Sequence, residues 1–198
     1  MTFTYDFPQA SPCSNISLYT KNGNTVRLLI TDRDASVGKG KSLSAGGFDE
    51  VKDAFGRAGE MIDGIEETYR EMHEELGEEI KEIIPYEDFK ARVQYLWDGM
   101  VPTSKHPLVE KVVMRYMEVS EAEMDAVMEL PSTSEQVGKK LIELELNDDA
   151  QAASTDFTSL SDDFNGFKYP HEVVAAQMLL QRLETQARAS APSTGPGW

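Results

Sequence analysis

The chain has 198 residues, 35 acidic against 19 basic, for a formal net charge of −16. So acidic a surface opposes gripping nucleic acid or docking on an anionic membrane, because both need cationic side chains against phosphate. No run of about 18 apolar residues occurs, so no membrane-spanning helix is expected, and the length suits one domain with a real hydrophobic core.

The opening stretch MTFTYDFPQASPCSN has no basic region and no apolar run, so no secretory signal is expected there. Cys13 is the only cysteine. That leaves no intrachain disulfide and no CxxC metal pair, and it suits a reducing, cytoplasmic setting.

In chain order, Ile16–Thr20 and Thr25–Thr31 are β-branched and apolar around an Asn-Gly turn signal, and read as a β-hairpin. The stretch from Asp32 to Gly47, rich in Gly, Ser and Lys, reads as a loop, and Phe48–Gly59 as irregular. A helix is expected from Met61 to Leu76, ended by Gly77 in the left-handed helical conformation. Ile80–Ile84 reads as a short strand, and so does Phe89–Trp97. Pro102–Pro107 is a loop, Val112–Val119 a strand, Ala122–Leu130 a helix and Lys140–Leu146 a strand. An acidic loop is expected over 147–165, a second long helix over Glu172–Arg188, and a disordered tail over 189–198. Strands interleaved with two long helices indicate a single mixed α/β domain over 1–188.

The helix MIDGIEETYREMHEEL concentrates the chemistry. At about 100° per residue with Glu71 at zero, Met61, Ile62, Ile65, Tyr69, Met72 and Leu76 fall between about 80° and 180°, one apolar face. Glu67, Glu71, Glu74 and Glu75 fall within about 60° of zero. Like charges at that spacing each disfavour a helix by about 0.2–0.5 kcal/mol, and Glu74 and Glu75 also oppose the dipole at the C-terminal end. Either this is a solvated acidic face or a hard divalent cation compensates it; Mg²⁺ takes carboxylate oxygens while keeping waters for a phosphate substrate.

Arg70-Glu71-Met72-His73-Glu74-Glu75-Leu76-Gly77 resembles the core of the Nudix box, G-x5-E-x7-R-E-U-x-E-E-x-G-U with U a large apolar residue. Ala45-Gly46-Gly47-Phe48 is similar to the double glycine preceding the Nudix helix, which leaves nine extra residues between Gly47 and Arg70, an insertion around 48–59. Ungapped, the first glycine of the box falls on Gly56 and its first glutamate on Ile62; with the insertion, Glu60 or Asp63 stands in for that glutamate.

The resemblance implies a mixed β-sheet sandwiched between helices (α/β/α) and hydrolysis of a nucleoside diphosphate linked to another moiety. It implies Mg²⁺, or Mn²⁺, on Glu71, Glu74 and Glu75, with Glu71 as ligand or base and Arg70 orienting Glu71. Glu135, on a loop before a late strand, resembles a further metal-site glutamate of some members, with Glu118 in reserve. Arg33, Lys39, Lys41, Gly46 and Gly47 are the candidates for phosphate contact. The expected partner is a nucleotide-derived small molecule, with a long RNA the least attractive on charge grounds, and family members often form homodimers. Phe167 and Tyr169 are read as core packing, with stacking on a base as the alternative, and His73, His106, His171 and Trp97 as packing, capping or unassigned residues.

Overall fold

The computed structural model describes residues 11–33, 40–43, 45–48, 64–102, 109–134, 136–146 and 170–190. The expected insertion beyond Phe48, the acidic loop 147–165, the tail from 191, and Lys39, Gly56, Glu60, Met61, Ile62, Asp63, His106, Glu135, Phe167 and Tyr169 lie outside them.

The strands are β1 (Ser11–Asn22), β2 (Thr25–Arg33), β3 (Gly40–Ser42), β4 (Ala45–Phe48), β5 (Gln94–Pro102), β6 (Val109–Glu118) and β7 (Gln136–Glu145). The helices are α1 (Ile65–Leu76), α2 (Ile80–Ile83), α3 (Tyr86–Arg92), α4 (Glu121–Glu129) and α5 (Pro170–Ser190). β1 and β2 form the expected hairpin, with Asn22 opposite Thr25 and Gly23-Asn24 as the two-residue turn. β6 lies parallel along β1 from Ser11 to Tyr19, and β5 closes that side antiparallel to β6. β7 runs antiparallel to β2.

Beyond the hairpin the sheet splits. β1 and β2 pair only at the turn end, between Tyr19–Asn22 and Thr25–Leu28. Further from the turn, β4 takes the freed edge of β1, with Asn15 opposite Gly46, and β3 takes that of β2, with Thr31 opposite Ser42. One branch is therefore β4-β1-β6-β5 and the other β3-β2-β7.

Helices cover both faces. Val26, Leu28 and Ile30 of β2, Val112, Met114 and Tyr116 of β6 and Ile142 and Leu144 of β7 pack with Ala175, Ala176, Leu179, Leu180 and Leu183 of α5. The opposite core joins Ile16, Leu18 and Leu29 to Tyr69, Met72 and Leu76 of α1, Ile80, Phe89, and Met124 and Val127 of α4. The alternation of β2 between the two cores is the period of two that a doubly covered strand requires. This is the expected α/β/α sandwich.

Several elements differ from the sequence reading. Ile80–Ile84 is not a strand: Ile80 and Ile84 are both fully buried, and a separation of four residues puts them on one side of a helical turn that Pro85 stops. Phe89 belongs to α3, held by its burial, while Gln94–Trp97 is strand as expected. The loop expected from Asp32 to Gly47 contains β3 and β4, short strands that form because the split leaves two edges to pair. Within the described residues α1 begins at Ile65, after a turn at Gly64. Gly77 ends it with φ 113° and ψ 144° rather than in the left-handed helical region, a backbone that glycine alone adopts without strain.

α4 shows how its start is secured. Ser120 accepts from the Glu123 N–H (3.2 Å), Glu123 accepts from the Ser120 N–H (2.6 Å), and Arg92 of α3 pairs with Glu123 (2.6 Å). These partners, Arg92 foremost, hold the Glu123 carboxyl down at about 2 from its ordinary 4.5. A depressed folded value stabilises above the unfolded value and is lost as pH falls toward the folded one. Glu123→Gln should lower stability by about 1 kcal/mol at neutral pH, a value discounted for partial exposure. In urea melts the gap to the parent should close between pH 4.5 and pH 2; a gap constant across that range would refute the assignment.

Candidate functional site

The buried arc of α1 is wider than its apolar arc. Besides Tyr69, Met72 and Leu76 it takes in Thr68, Glu71 and Glu75. Glu71 is 8% exposed and Glu75 3%, so two of the four carboxylates are not on a solvated face. Burying a carboxylate is unfavourable unless donors surround it, and each of these has them.

Glu75 lies where the sheet splits. Its Oε2 accepts from the Gly46 N–H of β4 (2.9 Å) and from Gln136 Nε2 of β7 (2.7 Å). Its Oε1 faces Arg33 Nη1 at the end of β2 (3.4 Å). Arg33 and Gln136 are themselves register partners across β2 and β7. The main chain of the same residue is held as well: Thr133 Oγ1 donates to the Glu75 carbonyl (2.9 Å).

Gly46 reaches Glu75 because β4 presses close on β1. A Cβ there would stand 2.4 Å from both Asn15 Oδ1 and the Ser14 carbonyl oxygen, so only glycine fits. Gly47 pairs with Ser14 in the same ladder, and Lys41 is half-buried in β3.

Around Arg70 the other carboxylates gather. Its guanidinium bonds Glu67 through Nε (2.9 Å), Glu74 through Nη1 (2.6 Å), and Glu71 through Nη2. Arg70 thus does more than orient Glu71: it is the shared counter-ion of three acids at positions −3, +1 and +4 on one helix. Burial pushes the Glu71 carboxyl up to about 7; Arg70 pulls it back, while Glu74 and Glu67 add to the rise. Glu74 is exposed. His73 bonds Glu78 through Nδ1 (3.1 Å) and meets Tyr69 edge-on, a packing role.

The donor set is hard carboxylate oxygen with no thiol, which fits Mg²⁺ or Mn²⁺ in chemistry. Among the described residues no three acidic, histidine or cysteine side chains close around one point; Glu135 adjoins this group in sequence, next to Gln136. Glu118 is not part of the group: it accepts from Tyr19 OH (3.2 Å) and borders a polar cleft of about 720 Å³ with Thr20, Arg92, Ser120 and Glu123, away from the α1 carboxylates.

Thr133 and Gln136 escaped the sequence reading. Neither is chemically conspicuous, and only their approach to Glu75 marks them; the adjacent Glu135 was the nearest signal.

Compared with solved structures, the chain is similar to a MutT/nudix family protein from Enterococcus faecalis, with a TM-score of 0.55 and 13% identity over 92% of this chain. The fold is the Nudix fold. At that identity the likeness speaks for the fold alone, and the chain spans 66% of that protein's length. Other Nudix-fold structures superpose less closely. The NUDIX domain of Shewanella oneidensis NrtR, solved with ADP ribose, gives a TM-score of 0.43 and 14% identity over 69% of this chain and 77% of that one. A C. elegans Ap4A hydrolase gives 0.47 and 9% over 89% and 98%. No protein-family model and no curated protein matches the chain.

Gly46→Ala should destabilise the protein by at least about 1–3 kcal/mol, the range for overpacking, because β4 must withdraw from β1 and from Glu75. Thermal melts of the variant check this, and an unchanged midpoint would show that β4 is not seated as described.

Proposed function

We propose that this chain is a Mg²⁺-dependent hydrolase of a pyrophosphate bond in a nucleoside diphosphate linked to another moiety, with Mn²⁺ able to replace Mg²⁺. One observation carries the reading: on a Nudix fold, two carboxylates of the R-E-U-x-E-E-x-G stretch, Glu71 and Glu75, are buried on one helix, and Glu75 meets both branches of the sheet at the split. A carboxylate kept out of water and only partly compensated, as Glu71 is, is poised for a cation.

In this reading Glu71, Glu74, Glu75 and Glu135 would hold the metal. When bound, it supplies neutralisation of the pyrophosphate charge and makes water a better nucleophile. The chain's own contribution is positioning. Gly46 and Gln136 hold one oxygen of Glu75, and Arg70 ties Glu71 to Glu74 and Glu67. Glu71 either joins the cation or accepts the proton of the attacking water. Lys41 and Gly47 remain the proposed phosphate side of the site, while Gly46 gives its N–H to Glu75 and Arg33 would serve phosphate and Glu75 together. A cytoplasmic setting and a homodimeric state belong to the same proposal. No helix among the described residues is long and apolar enough to cross a membrane.

A second reading is a Nudix-fold module that binds a nucleotide without cleaving it. It is favoured by Arg70, which already engages three carboxylates, and by Ile62, which takes the place of the first box glutamate in an ungapped alignment.

A panel of dinucleotides, nucleotide sugars and nucleoside triphosphates with Mg²⁺, coupled to phosphate release, separates the two. Turnover should vanish with EDTA and fall at least about a hundredfold in Glu74→Gln and Glu75→Gln. Tight nucleotide binding without turnover selects the module, and neither binding nor turnover refutes both.

A further inference from the structure

We propose that Gln136 is the positioning residue of the carboxylate site, fixing the rotation of Glu75 and thereby setting the affinity of the site for a divalent cation. The proposal rests on the hydrolase reading above. Its geometry is independent of that reading.

Gln136 is 1% exposed and its Nε2 donates to Glu75 Oε2 at 2.7 Å. Its other polar atom, Oε1, is buried and has no hydrogen-bond partner among the described residues. Burying an amide oxygen that way is unfavourable, so the amide is oriented by Glu75 rather than by its own needs. The reversed orientation would turn an oxygen toward a carboxylate.

The neutrality of the donor matters. A lysine or arginine at this place would satisfy Glu75 and cancel its charge. An amide and a backbone N–H together occupy Oε2 without adding a second positive charge to that of Arg33 on Oε1. Rotation of the carboxylate is then blocked, with Oε1 on the side of Arg33.

The segment bearing Gln136 is pinned to α1. Thr133 N–H donates to the Gln136 carbonyl (3.0 Å) and Gln136 N–H to Thr133 Oγ1 (3.1 Å). Thr133 Oγ1 in turn donates to the Glu75 carbonyl. Lys139 Nζ ties down the Leu130 carbonyl (2.8 Å) at the end of α4. Thr133 and Gln136 therefore grip one residue at its main chain and its side chain, and only the second grip acts on the carboxylate.

That division supplies the test. Mn²⁺ binding to the full chain is followed by electron paramagnetic resonance of the free ion, alongside thermal melts without metal and nucleotide turnover. Gln136→Leu and Gln136→Asn, which remove the donor or shorten its reach, should each weaken Mn²⁺ binding about tenfold or more. They should lower kcat more than they raise KM. Thr133→Val should lower the melting midpoint yet leave Mn²⁺ affinity within about twofold, since its hydroxyl meets Glu75 and Gln136 only at their main chains and not at the amide or the carboxylate. Parental Mn²⁺ affinity in both folded Gln136 variants would overturn the proposal and reduce Gln136 to packing. If the unmutated protein takes up no Mn²⁺, the metal reading itself fails and the proposal falls with it; that outcome appears in the parent and not only in the variants.

Discussion

A single carboxylate ties the two branches of the sheet together. Glu75 receives one hydrogen bond from β4, which belongs with β1, and another from β7, which belongs with β2. Such a group is costly to bury and strongly attractive to any donor within reach. The split would otherwise expose unpaired strand edges. Here β3 and β4 pair those edges, and the end of α1 inserts an anion that both branches must approach. The tight seat of Gly46 on β1, the pinning of Thr133 and the orientation of Gln136 all follow from serving that anion.

Arg70 solves a related problem one turn earlier. Three carboxylates within two turns repel one another, and the helix gains only modestly from its own backbone. A guanidinium offers five donors in a planar fork, and Arg70 spreads them over Glu67, Glu71 and Glu74. The helix is held down by Tyr69, Met72 and Leu76, each worth about 1.5–3 kcal/mol when buried. Packing therefore supplies the stability, while Arg70 limits the electrostatic loss. The balance leaves Glu71 buried and only partly compensated, which links the helix's packing to its proposed chemistry.

The long elements were legible because their periods are clear. β2 and β6 send apolar residues alternately to two cores, Leu28 and Ile30 to one and Leu29 to the other in β2, and Met114 and Tyr116 to one and Met117 to the other in β6, and α1 and α5 carry apolar residues at helical spacing. Ile80–Ile84 misled because a short β-branched run has no period long enough to distinguish a strand from a helical turn. β3 and β4 were hidden because glycine and serine say loop, whereas their strand character comes from partners distant in sequence. The glutamates of α1 were visible as a cluster. That two of them are buried was not, since a helical wheel orders side chains by angle and does not show what stands opposite.

By itself the sequence determined that this protein is acidic, is mixed α and β, and carries an R-E-U-x-E-E-x-G stretch on a helix with one apolar face. Charge, period and spacing are local properties, readable without a fold. Only the tertiary structure decided which carboxylates leave water, that Arg33 and Gln136 meet Glu75, and that Gly46 must be glycine. Those facts depend on contacts between segments 29 to 61 residues apart along the chain, and the energy of a buried charge is set by its neighbours in space.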